Sequence, residues 1–202
     1  MFSSPEVGNF VKKIMKIASK ELLADLINRT ENCLTEAEKL YVRSNEELNY
    51  KSSPHTWSIL ECIEHLNMYG DFYLPEIEEK MAKNNAYPSI YFTSGLLGNF
   101  FAKSMLPKEK PNKMKTFKDK NPNGFSLEIK SLDRFLSQQK KLLELLHSAG
   151  EVNLSKTKTA ISISNFIKLR LGDTFRVVVY HNQRHLVQVN KVLEQLSLGA
   201  LV

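Results

Sequence analysis

Three histidines carry the chemistry this sequence has to offer. His181 and His185 stand four residues apart in the stretch from Gly172 to Leu196, where Phe175, Val178, Asn182, His185, Val189, Val192 and Leu196 recur at spacings of three and four. That is the period of a helix with one buried stripe, so His185 points inward. A four-residue helical step sets the two imidazoles about 40° apart around the axis and roughly 6 Å apart along it, close enough to share one ion. Such a pair asks for a third ligand from another helix.

His65 is the candidate. Ser58, three residues before Glu61, is the signature of a capping box, so a helix begins near Ile59. His65 then falls in its second turn, with Glu61, Cys62, Met68, Tyr69 and Phe72 on the same face. Neutral imidazole suits a divalent metal, zinc or nickel first, with iron, manganese or copper as further candidates. Three nitrogens leave one coordination position open, where water or a substrate sulfur or oxygen can lose a proton at neutral pH. The rival reading makes each inward histidine a hydrogen-bonded core residue. The pair at i and i+4 favours the metal, because burying two unpartnered imidazoles side by side is costly.

Around these three stand weaker candidates. Glu61, one turn before His65, is a candidate general base or extra ligand, although the Ser58 capping box already explains it. Gln188, one turn beyond His185, is a candidate to orient a ligand or substrate, with helix packing as the alternative. Arg184 is a candidate anchor for an anionic substrate, against a salt bridge at or near the surface. Cys62 reads as a buried, inert thiol, and His55 and His147 are left outside the set.

The elements that must position these groups are helical. With 202 residues and 42% hydrophobic content the chain can bury a full core, and its length predicts one domain over residues 1–202. The N-terminus lacks the pattern of a secretion signal and no apolar run is long enough for a membrane span, so a cytoplasmic protein is expected. Two cysteines, Cys33 and Cys62, are too few for a disulfide framework and fit a reducing compartment. The net charge of +6 is concentrated: seven lysines fall between Lys103 and Lys120 against two acids, among Pro107, Pro111, Pro122 and Gly124. The segment 106–125 therefore reads as an exposed basic loop, with capture of an anionic substrate or a nucleic acid as lesser alternatives.

Helical periodicity fills residues 5–43, broken near Ser19, so that residues 1–18 form an N-terminal helical extension. A capping box of Ser44 and Glu47 starts a single turn. The second long helix runs from Ile59 to about Met81 with Pro75 inside it. Residues 83–93 look irregular, and 94–105 predict a short apolar helix. A third long helix comes after Asn121–Gly124, carries Leu127 through Leu146 and stops before Gly150. Residues 152–171 read as a polar connection, after which Asp173 is expected to cap the histidine helix by accepting from its free amides. Four long amphipathic helices, little strand signal and a long crossover between the second and third describe an all-α four-helix bundle, with an irregular α fold as the alternative.

The segment Trp57-Ser58-Ile59-Leu60-Glu61-Cys62-Ile63-Glu64-His65-Leu66, with Leu171-Gly172-Asp173 and the run Tyr180-His181-Asn182-Gln183-Arg184-His185-Leu186-Val187-Gln188, resembles the DinB-like superfamily. The order and separation of these pieces span most of the chain. The resemblance implies an up-down-up-down arrangement of the four helices, frequent homodimers, and a divalent metal held by His65, His181 and His185. It also implies relatives that use the metal to activate a low-molecular-weight thiol, alongside members with no established activity.

Three functions are expected. The first is a metal-dependent thiol S-transferase or related hydrolase, acting on a small thiol and an electrophilic small molecule. The second is a non-catalytic stress or interaction protein that keeps the metal for stability. The third, nucleic-acid binding through the basic loop, has only Phe117 within that loop to stack on a base.

Overall fold

A computed structural model of the chain describes residues 15–108 and 116–199. Its elements in order are β1 (Lys16–Ala18), α1 (Ser19–Glu38), α2 (Asn45–Asn49), α3 (Ile59–Ala82), β2 (Tyr91–Thr93), α4 (Leu96–Met105), α5 (Lys130–Ser148), β3 (Lys158–Ile161), β4 (Ser164–Arg170) and α6 (Leu171–Gly199), with short 3-10 turns at Lys39–Val42, Lys118–Lys120 and Ala149–Glu151. The chain is mostly helical, with two small two-stranded sheets. Among the described residues no helix is long and apolar enough to cross a membrane.

The four long helices track their apolar spacing. In α1 the buried positions are Leu22, Leu23, Leu26, Thr30, Cys33 and Ala37. In α5 they are Leu132, Phe135, Leu136, Gln139, Leu142, Leu145 and Leu146. Each fully buried leucine or phenylalanine contributes about 1.5–3 kcal/mol, so these stripes decide which faces meet. Both predicted capping boxes form: Ser44 with Glu47 opens α2, and Ser58 with Glu61 opens α3. Pro75 lies within α3.

Two apolar clusters divide the bundle lengthwise and give the helix directions. One gathers Leu22 and Leu26 of α1, Tyr73 and Ile77 of α3, Leu146 of α5 and Phe175 and Val178 of α6. The other gathers Cys33 and Ala37, Ile59 and Ile63, Leu132 and Phe135, and Val189 and Val192. Residue numbers rise from the first cluster to the second in α1 and α6, and fall in α3 and α5. The polar pairs between α3 and α5 agree: Asn67 donates to the Ser131 carbonyl at 2.9 Å, Arg134 pairs with Glu64 at 3.1 Å, and Lys141 pairs with Glu78 at 2.6 Å. The expected up-down-up-down order therefore gives way to up-down-down-up. The connection from residue 83 to 129 is long enough to return the chain to the end where α3 began, so α5 runs parallel to α3.

Other expectations are also corrected. Lys16–Ala18 is a strand, not helix, because its backbone pairs antiparallel with Tyr91–Thr93, Ile17 opposite Phe92. The helical reading of residues 5–14 lies outside the described residues. Helix α5 begins at Lys130, leaving Leu127 before it as a half-buried residue packed on the second cluster. The supposed polar connection is a β-hairpin, with Lys158 opposite Arg170 and Thr159 opposite Leu169. Thr159 and Ile161 alternate inward along β3, a period of two too short to stand out. The Ala160 amide donates to Glu76 of α3 at 2.7 Å, which ties the hairpin to the bundle.

Candidate metal centre

The centre grows from two helix faces. Burial of Ile59, Leu60, Ile63 and Leu66 fixes the rotation of α3 about its axis, and the stripe from Phe175 to Val192 does the same for α6. These constraints bring His65, His181 and His185 together, all buried, with their ligating atoms within 4.8 Å of one another. The Nε2 atom of His181 lies 3.3 Å from that of His65 and 3.1 Å from that of His185.

Hydrogen bonds set the tautomers. His65 Nδ1 lies 2.7 Å from the Lys120 carbonyl oxygen, which can only accept, so Nδ1 carries the hydrogen and Nε2 a lone pair. His185 Nδ1 likewise donates to Gln188 Oε1 at 3.1 Å. Two lone pairs thus converge on His181 Nε2, whose ring can offer one hydrogen there at most. One nitrogen pair is left facing without a proton between.

Extra protons do not fill the gap at neutral pH. Burial pushes His65 down to about 4 and His185 to about 3, and burial reinforced by the neighbouring His185 and His65 holds His181 well below the ordinary imidazole range. A divalent cation does fit. Metal–nitrogen bonds of about 2.0–2.1 Å in tetrahedral geometry separate their nitrogens by about 3.3–3.4 Å, close to the 3.3 and 3.1 Å that separate His181 Nε2 from the other two. The Lys120 carbonyl and Gln188 are the outer partners that hold ligating imidazoles in position. The rings are further fixed by Trp57, 4.7 Å from His65 and 5.8 Å from His185 between centroids, and by Tyr69, edge-on to His65 at 5.0 Å and His181 at 4.8 Å.

The sequence model of the DinB superfamily matches residues 20–189, a span that holds all three histidines. The chain belongs to the DinB superfamily. No curated protein and no solved structure matches it.

In this DinB superfamily chain the centre forms one wall of a cavity of about 870 Å³, which Trp57, Tyr69, Asn182, Arg184 and Gln188 also line. The candidates beside the histidines take different roles. Glu61 is buried and committed: it accepts from the Ser58 amide at 2.9 Å, the Gly124 amide at 2.7 Å and the Lys51 ammonium at 3.0 Å. It is not one of the converging donors. It anchors the loop whose Lys120 carbonyl orients His65, and Gly124, at φ 83, takes the left-handed turn that glycine allows there. Arg184 donates to the Ser104 carbonyl at 3.1 Å, joining α6 to α4. Cys62 is fully buried and burial pushes its thiol up, leaving it unreactive. His55 lines the cavity outside the cluster.

Asp173 departs from expectation. It sits inside the first turn of α6 and accepts from the Ser94 hydroxyl and, at 2.7 Å, from the Gly95 amide at the start of α4. It therefore caps a neighbouring helix, and a 3.0 Å pair with buried Arg176 balances its charge. Sequence reasoning also missed the ring contacts of Trp57 and the Lys120 carbonyl. The Trp57-Ser58 start of α3 was the signal for the first; a main-chain carbonyl leaves none.

Proposed function

We propose that this DinB superfamily chain is a metal-dependent enzyme that joins a low-molecular-weight thiol to an electrophilic small molecule, or carries out a related hydrolysis. The observation that carries this reading is the convergence of three histidine Nε2 atoms on the wall of a cavity large enough for a small molecule. His65, His181 and His185 would hold the ion, zinc or nickel first, iron or manganese next. When bound, such an ion supplies an open Lewis-acidic position that lowers the pKa of a thiol or water.

The chain's own residues do the rest. Trp57 and Tyr69 exclude water from the imidazoles and raise the strength of charges inside the site. Gln188 and the Lys120 carbonyl keep both Nε2 atoms unprotonated and aimed inward. Asn182, whose amide is held by Gln139 at 3.0 Å, and Arg184 stand where the polar part of a substrate would lie. In the transfer, the thiol S–H bond breaks, its sulfur bonds to the electrophilic carbon, the bond from that carbon to the displaced group breaks with its electron pair going to that group, and the thiol proton passes to the departing group or to water.

This reading carries the remaining expectations with it: one domain, a cytoplasmic protein that works as a homodimer, and no role for nucleic acid. The test is elemental analysis of purified wild-type and His181→Ala protein together with conjugation of a model electrophile to cellular thiols. About one ion per chain and metal-dependent conjugation, both lost in the variant, are expected. Unchanged turnover in His181→Ala rejects the reading, and bound metal that raises the melting temperature without any thiol or hydrolytic turnover supports the non-catalytic alternative.

A further inference from the structure

The cavity changes character along its length, and three of the four helices that line it, α3, α5 and α6, change together, while α4 adds Phe101 and Met105. On α3 its lining runs from His65 through Tyr69 to Tyr73 and Leu74. From His65 to Tyr73 is a little over two helical turns, about 12 Å at 1.5 Å per residue. On α6, which runs antiparallel to α3, it passes from His185 and His181 to Val178 and Val177. On α5 it passes from Gln139 to Leu142. The end remote from the histidines is lined by Ile161, Ser162, Ile163 and Leu169 of the hairpin. Tyr73 turns its hydroxyl to that hairpin, where the oxygen accepts from the Ser162 amide at 3.3 Å and lies 3.4 Å from the Ser162 hydroxyl.

We infer that the end of the cavity remote from the histidines binds a straight apolar chain of on the order of ten carbons, by C–C bond lengths over the span above, joined to a polar head that sits at the histidines. This rests on the reading that the cavity is the substrate pocket of the three-histidine centre, and it names that substrate as a single-chain amphiphile. Protein interiors are packed close to crystal density, and a large apolar space is stabilised by a ligand that fills it. Water finds few partners among valine, leucine and isoleucine side chains.

The experiment uses straight-chain carboxylates of four to fourteen carbons, titrated calorimetrically below their micellar concentrations into metal-free wild-type protein. Affinity is expected to rise about three- to fourfold per methylene, to level off near ten carbons by the cavity length, and to show a negative heat-capacity change. Val178→Trp, and independently Ile161→Phe on the hairpin, should move that break to shorter chains. Affinity that ignores chain length, that climbs through fourteen carbons without a break, or that breaks at the same length in a folded variant overturns the inference. A break without any thiol conjugation leaves it standing and defeats the transferase reading, whereas conjugation without a break does the reverse.

Discussion

His65 donates its Nδ1 hydrogen to the carbonyl oxygen of Lys120 at 2.7 Å, which fixes the tautomer of one ligand of the candidate centre from a loop 55 residues away in sequence. That loop is held in turn by Glu61, one helical turn before His65, through the Gly124 amide, and by Lys51, which reaches both Glu61 and Asn123.

Glu61→Ala should therefore act at a distance. Losing the capping box and stranding the Gly124 amide and Lys51 should lower stability by about 2–3 kcal/mol. Loss of the outer support of His65 should weaken metal binding by about 10–100-fold. Urea unfolding and competitive metal titration measure the two effects. Full metal affinity in a loosened Glu61→Ala protein would show that the loop does not orient His65.

Metal should stabilise the fold. A ligand that binds only the native state adds about 2.7 kcal/mol at a free concentration 100 times its dissociation constant, so chelation should lower the melting temperature of wild-type protein. His65→Ala, His181→Ala and His185→Ala should each melt at the same temperature with and without chelator. Equal melting of wild-type protein in zinc and in chelator contradicts a native-state metal site.

Acid should destabilise the metal-free protein. The three histidines titrate near 6.5 when unfolded but at about 4, about 3 and well below 6.5 when folded. The unfolded chain thus binds the extra protons, and the stability these groups provide is fully present above 6.5. It is lost as pH falls toward 4, each contributing a slope of up to about 1.4 kcal/mol per pH unit. Denaturant unfolding at pH 7, 6 and 5 reads this directly. A flat profile over that range would mean that the imidazoles are not held neutral in the fold.

The cysteines should resist modification. Burial pushes Cys33 up to about 12 and Cys62 higher still, against an ordinary 9.0, so both are protonated in the native state. Their contribution to stability is present below pH 9 and declines above it, where the unfolded thiols ionise. A disulfide reagent at pH 8 should label them only at the rate of unfolding. Fast labelling of either thiol in native protein would contradict their burial.

Gly98→Ala should destabilise, although alanine is the better helix former by about 1 kcal/mol. A methyl group there meets the Asp173 Cβ at 2.6 Å, against the buried pair that caps α4. A net loss of about 1–3 kcal/mol is expected from such overpacking. Thermal melting checks it, and a gain in stability would mean that α4 can shift away from α6.

Local periodicity and short-range chemistry made part of this protein legible from its residues. The inward faces of α3 and α6, the inward turn of His65, His181 and His185, and the two capping boxes all depend on residues within a few positions of each other. Features that depend on distant backbone were settled only when the chain packed. Lys16–Ala18 became a strand because Tyr91–Thr93 offered it hydrogen bonds. Asp173 turned to the start of α4 because that helix packs on α6. The parallel course of α3 and α5 comes from a crossover that carries no periodic signal of its own. The carbonyl that orients His65 belongs to the main chain, which every residue shares, so side-chain types gave no mark of its place.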